Sequence, residues 1–318
     1  MKKVFRICGI TLCSVAGGVA ALLLLLAVFL SVGARVKYHE FYSLMKKEAR
    51  NPGLWDNYIP QGITFNDDEN YYATCGYMKD GSASRIYTVD KDTGKREVYA
   101  LTSGGEPFTG HTGGLQYAGG NFYLASEQQG VFRFSADKLD GSGSAEIGPC
   151  IKVNNNSSFI FADDDFIYVG EFAHVPAYPC EHEVTFGGKT NTAILTKYSH
   201  GDLETPVAVY SIPDEAQGVV LTPGGSMIFS RSWGLDFASY DVYKPGSVHA
   251  TEMRMDGAPV YFLGEPDRVL KSILFTEDVD LADGRLISMT EAAANKYYVG
   301  KFIFDYSIFS IGLSELEG

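Results

Sequence analysis

The amino-acid sequence predicts an all-β protein, a five-bladed β-propeller preceded by one N-terminal transmembrane helix. Three observations carry that prediction: one apolar run at the N-terminus, a hairpin pattern that recurs five times, and a composition rich in aromatic residues and glycine. The chain holds 20 Tyr, 20 Phe and 35 Gly. Aromatic residues favour strands and glycine favours tight turns, so this mixture points to β structure.

The first element is the apolar run. "MKKVFR" carries three positive charges, and the next 28 residues, "ICGITLCSVAGGVAALLLLLAVFLSVGA", carry none. Roughly 20 apolar residues cross a bilayer. Secretory h-regions are shorter, about 7–15 residues, so an uncleaved signal anchor is expected, although "VGA" before Arg35 also offers a cleavage site. The expected division is a cytoplasmic tip at 1–7, the anchor at 8–34, a stalk at 35–54 and the propeller at 55–318. Lys2, Lys3 and Arg6 favour a cytoplasmic N-terminus, placing the propeller outside the cell membrane. In the stalk, "VKYHEFYSLMKKEARNPGL" has apolar positions at helical spacing and ends in the breaker "NPG".

Five segments then share one form: a short apolar strand, a turn of Asp, Asn, Gly or Pro, and an aromatic strand. They are "QGITFNDDENYYATCG" (61–76), "GGLQYAGGNFYLASE" (113–127), "SSFIFADDDFIYVGE" (157–171), "QGVVLTPGGSMIFSR" (217–231) and "KSILFTEDVDLADGRLISMTE" (271–291). A small residue recurs in the first strand at Gly62, Gly114, Ser158, Gly218 and Ser272, spaced by 52, 44, 60 and 54 residues. Propeller repeats run at about 40–50 residues plus insertions. "DDD" (163–165) occupies the turn slot that "NDDEN" and "AGGN" fill elsewhere, so it reads as a hairpin turn rather than a calcium site.

Each hairpin is followed by a second strand pair, at 84–101, 130–147, 192–212, 238–255 and 297–313. Four strands in each of five repeats make five blades, and radial repetition leaves only short sheet edges. A sixth blade stays open, because "EMRMDGAPVYFLGE" (252–265) has the form of an extra pair.

"VDKDTGK" (89–95) resembles the outer turn of quinoprotein-like propeller blades, and "PQGITF" (60–65) resembles the inner strands of bacterial lactonase-like propellers. The resemblance implies a fold and not an activity. Some lactonase-like propellers hold an axial calcium through Glu, Asn and Asp; this chain matches that pattern in residue types alone.

In a blade the inner strand starts, and the second strand ends, on one face, whose connections carry the binding site by fold-level analogy. The expected second-strand ends are Cys75/Gly76, Glu127, Glu171, Arg231 and Glu291, and the expected inner-strand starts are Gln61, His111, Asn156, Gln217 and Lys271. Converging carboxylates need a cation, a shared proton or an arginine. Three readings follow. Glu127, Glu171 and Glu291 would hold calcium, which takes 6–8 oxygen ligands. Alternatively they would pair with Arg231 and Lys271 in a structural network. In the third reading, Gln61, His111, Asn156, Gln217, Arg231, Trp233 and Lys271 would contact an organic ligand. A long insertion in the third repeat, 172–191, adds Tyr178 and Phe186 as a candidate aromatic wall.

The expected function is a binding module for a small polar ligand or a peptide. The alternative is a calcium-dependent lactonase- or phosphoesterase-type hydrolase with a base such as His111; a scaffold displaying its rims is a third option. Residues 36–318 hold 22 basic against 39 acidic residues, a net charge of −17 that repels nucleic acid. Cys75, Cys150 and Cys180 lie beyond the anchor; Cys150 and Cys180 are a candidate disulfide and Cys75 a buried thiol.

Overall fold

The computed structural model describes residues 2–302 and 305–318. Five antiparallel blades surround one axis. Their inner strands are Tyr58–Asn66, Thr112–Ala118, Phe159–Ala162, Ala216–Leu221 and Thr276–Ala282, each lying beside the next, with the fifth beside the first. The second strands are Tyr71–Met78, Asn121–Ser126, Phe166–Gly170, Met227–Trp233 and Arg285–Thr290. The turn between the first two strands of blade 3 is the "DDD" segment: Asp163 Oδ1 accepts from the amides of Asp165 at 2.9 Å and Phe166 at 2.8 Å.

Ring closure uses a strand from the far end of the chain. Blade 5 takes its outermost strand from Lys46–Arg50, antiparallel to Ser307–Gly312, with Lys46 opposite Ser310 and Arg50 opposite Ser307. Lys47 Nζ reaches Asp305 at 2.6 Å and the Ser310 hydroxyl donates to Glu48 at 2.6 Å. This corrects the expected stalk: residues 46–50 belong to the propeller. The helical part is shorter, with α1 at Lys2–Lys37 and α2 at His39–Leu44. Val15–Lys37 of α1 is long and apolar enough to cross a membrane.

Two further expectations are revised. The candidate sixth blade is a hairpin, Val248–Met255 with Ala258–Leu263, inserted between the third and fourth strands of blade 4. It adds to the outer edge of blade 3, where Tyr210 pairs in parallel with Tyr261. The final expected pair at 297–313 holds only one strand, since Asn295–Phe302 is a 3₁₀ segment; Ile303 and Phe304 lie outside the described residues.

The recurring small residue has a steric cause. A Cβ on Gly62 would lie 2.6 Å from Leu115 N of the next inner strand, and one on Gly218 would lie 2.4 Å from Asp278 Oδ1. Backbones near the axis approach too closely for a side chain. The fifth slot is not Ser272, which precedes the inner strand of its blade. Asp278 stands there, its carboxylate accepting from the amides of Ile63 and Leu115, both at 3.3 Å. Two residues on, Asp280 accepts from the Thr64 hydroxyl (2.7 Å), the Phe65 amide (2.9 Å) and Gln116 Nε2 (3.1 Å). Blades 1, 2 and 5 are therefore joined across the axis by two buried carboxyl groups.

Candidate functional site

The face on which inner strands begin, here the top face, carries a cavity of about 890 Å³ over the axis. All five blades line it. Gln61 and Tyr77 come from blade 1, His111 and Glu127 from blade 2, and Ser158, Phe172 and Tyr178 from blade 3. Gln217, Trp233 and Leu235 come from blade 4, and Phe275, Glu277, Glu291, Lys296 and Tyr297 from blade 5.

One wall is acidic. Glu291 directly follows the second strand of blade 5 and accepts from Gln61 Nε2 at 3.1 Å. Burial pushes its carboxyl up to about 7. Glu277, on the inner strand of the same blade, is raised by burial and then by the charge of Glu291. Both carboxyls are thus pushed towards their protonated forms. Lys296 leans over them, donating to the Tyr77 hydroxyl at 2.7 Å. Burial alone would lower the Lys296 pKa, but Glu291, Tyr297 and Tyr77 outweigh it and keep the ammonium charged.

His111 packs against Tyr77 at a tilt, with ring centroids 4.7 Å apart. Burial and the nearby Lys296 charge press its imidazole down to about 4, so it is neutral at physiological pH. Its Nδ1 is buried without a hydrogen-bond partner and lies 3.7 Å from Glu127 Oε2. Burial raises the Glu127 carboxyl.

The opposite wall is aromatic. Trp233 stacks on His174 at 3.8 Å and meets Phe172 and Tyr178 at 6.1 and 5.8 Å. His174 Nδ1 lies 2.9 Å from Glu215 Oε1, and Glu215 Oε2 lies 3.0 Å from Arg231. Arg231 also donates to Asp241 at 2.8 Å and to the Asp214 carbonyl at 2.8 Å. It does not face the cavity. It fixes Glu215, which holds the ring beneath Trp233.

Of the candidate residues, Gln61, His111, Glu127, Gln217, Trp233 and Glu291 meet at this cavity. Glu171 does not: it accepts from the amides of Asn156 and Ile194, both at 3.1 Å, and lies 2.8 Å from His182 Nδ1. That hydrogen bond raises the His182 pKa despite burial. Asn156 is itself engaged, its side chain accepting from the Gln128 amide at 2.8 Å. Lys271 lies on the exposed outer strand of blade 4, Arg268–Lys271, because the blade-5 inner strand starts five residues later than the repeat spacing suggested. Phe186 stacks on His249, away from the aromatic wall.

The calcium set does not fit this geometry. Glu171 is committed to amides and His182, and among the described residues no three His, Cys, Asp or Glu side chains form a metal-holding group. The structural ion-pair reading holds for Arg231 only through Glu215 and Asp241, not through the three glutamates. Cys150 and Cys180 are free thiols, donating to the carbonyls of Gln129 and Phe172 instead of forming a disulfide. Cys75 is free and buried. Glu277, Lys296 and Tyr297 escaped the sequence reading. The alternation in "TEDVDLA" was the available signal for the inner strand that carries Glu277.

No family model matches the chain, and no curated protein matches its sequence. Solved structures of similar shape include a protein named an oxidoreductase (glucose dehydrogenase) from Thermus thermophilus, at 13% identity and TM-score 0.47, over 84% of this chain and 99% of that one. Glutaminyl cyclase of Myxococcus xanthus follows at 9% and 0.44, over 77% of this chain and 89% of that one. Hydrazine synthase of Kuenenia stuttgartiensis has 16% identity and TM-score 0.40; the match spans 74% of this chain and 57% of that one. Likeness at this level describes shape and transfers no chemistry.

Proposed function

We propose that this chain is a membrane-anchored, extracytoplasmic propeller whose top-face cavity binds a small polar ligand or a peptide. One observation carries the reading: five blades converge on a cavity with an acidic, hydrogen-bonding wall facing an aromatic one. Such a site suits a ligand with a flat or apolar face against Trp233 and donor groups towards Glu291 and Glu127. The Lys2, Lys3 and Arg6 charges before the apolar helix support a cytoplasmic N-terminus. The acidic body and the carboxylate wall favour neutral or cationic ligands over anions.

The test is a melting screen of the intact protein against amino acids, short peptides, amines and sugars. A true ligand raises the midpoint by binding only the folded state. Trp233→Ala should weaken its binding about tenfold, roughly 1.4 kcal/mol. A shift that survives both Trp233→Ala and Glu291→Gln would place the ligand elsewhere. A second reading, acid–base hydrolysis, draws on the Glu277–Glu291 pair, where one carboxyl would donate a proton while the other accepts. Turnover of lactones or phosphoesters that Glu291→Gln abolishes would favour it.

A further inference from the structure

Resting on the membrane anchoring proposed above, we infer that the top face lies against the bilayer that α1 crosses, with its apolar rim in contact with lipid. The first ground is the path of the helix. Phe41, Tyr38 and Ala34 are buried against the propeller, and Ser31 and Ala27 are partly covered. Their spacing of three or four residues marks one face of a continuous helical path. Hydrogen bonds from the Tyr42 amide to Tyr38 and from the Tyr38 amide to Ala34 carry the helix through the junction of α1 and α2.

This path climbs towards the top. Glu40 pairs at 3.0 Å with Arg268, at the lower end of the outer strand of blade 4. Lys37 and Tyr38 share a second cavity with Lys271, at the upper end of that strand, and with Asp214 and Glu215 of a top connection. Higher still, α1 touches Asn295–Phe302, the top-face segment that supplies Lys296 and Tyr297 to the ligand cavity. Ala27, Ser31 and Ala34 belong to the uncharged run that ends before Arg35. A propeller touching positions inside the apolar run sits at the bilayer surface, not on a stalk above it.

The second ground is independent of the helix. Trp55 (59% exposed), Val175, Tyr178, Leu235 (74% exposed) and Tyr306 are exposed apolar or aromatic side chains on four top connections. Lys301 Nζ lies 3.7 Å over the Trp55 ring and Arg50 lies 5.4 Å over the Tyr306 ring. Aromatic rings beside cations are the side chains that settle at a membrane–water interface. The acidic body makes a zwitterionic surface the fitting partner rather than an anionic one. Tyr178 and Leu235 also line the ligand cavity. Its mouth therefore opens at the lipid surface.

The protein has two tryptophans. Trp233→Phe leaves Trp55 as the sole reporter in the full chain, placed in nanodiscs of zwitterionic lipid with or without brominated acyl chains. Expected is a marked loss of Trp55 emission in the brominated discs. A reporter at Val207→Trp, on a bottom loop of a chain carrying Trp55→Phe and Trp233→Phe, should be unaffected. If Trp233→Phe does not fold, the native chain and Trp55→Phe replace it, and the quenching that Trp55→Phe removes is that of Trp55. Equal emission in both discs overturns the inference, including where two copies cover each other's rims. An alkaline wash separates the failures: a chain that stays with lipid but is unquenched leaves anchoring standing, and a chain that washes off overturns anchoring as well.

Discussion

Glu277 and Glu291 are two carboxyls of one blade buried beside a single ammonium, and their shifts set a pH dependence. A carboxyl whose pKa rises on folding binds its proton more tightly in the folded chain. Its stabilising contribution is therefore largest at low pH and is lost as pH climbs through the folded value. Burial brings Glu291 to about 7 and Asp280 to about 6. It moves Glu277 and Asp278 the same way. His111, pressed down to about 4, opposes the trend, since it costs stability as its unfolded form protonates. These raised carboxyls outweigh His111, so the melting midpoint should fall between about pH 5 and pH 7.5. In Glu277→Gln that slope should flatten, and the midpoint at alkaline pH should rise; calorimetry across buffers checks both. Residue identity was legible in the sequence for Gln61, His111, Glu127 and Trp233. The partners that decide their roles were not, because Lys296 and Glu277 reach them through the fold.

At the scale of the element, the inner strands repeat one solution. Each hairpin begins beside the axis, where a side chain at the close-approach position collides with the neighbouring blade. Gly218→Ala would push a methyl group to 2.4 Å from Asp278 Oδ1 and 2.8 Å from Val279 N. Overpacking of this kind costs about 1–3 kcal/mol, read as a lower denaturation midpoint. Asp278 and Asp280 use the same crowding differently, by accepting hydrogen bonds from strands of two other blades. Asp280→Asn turns an acceptor into a donor facing the Thr64 hydroxyl, the Phe65 amide and Gln116, and should destabilise by about 1–3 kcal/mol. The hairpins were legible because their turns repeat in sequence, as "NDDEN", "AGGN" and "DDD" show. The fifth inner strand was not, since "KSILF" mimics the pattern five residues early.

For the whole molecule, the ring is sealed by five residues lying far from the rest of blade 5 in the chain. Removing residues 1–51 should leave the Ser307–Gly312 strand with a bare edge and strip the salt bridge from Asp305. The expected outcome is a lower melting midpoint and self-association on size exclusion, whereas a chain starting at residue 36 should behave as a folded monomer once freed from lipid. Unpaired strand edges invite pairing with other chains. EDTA or millimolar calcium should leave the midpoint unchanged, because Glu171 is held by backbone amides and His182 rather than turned to the axis.

The sequence by itself determined the all-β class, the recurring hairpin, the apolar helix and most of the rung of second-strand ends, and left five or six blades open. These follow from local periodicity, turn chemistry and hydrophobic run length, which act over a few neighbouring residues. Only the tertiary structure decided which rung members share a cavity, which strand closes the ring and which blade receives the Val248–Leu263 hairpin. Glu171 and Glu291 each follow the second strand of their blade, yet one meets two amides and a histidine while the other meets Gln61 and a buried carboxyl partner. That difference arises from contacts between residues distant in the chain, and local pattern carries no record of them.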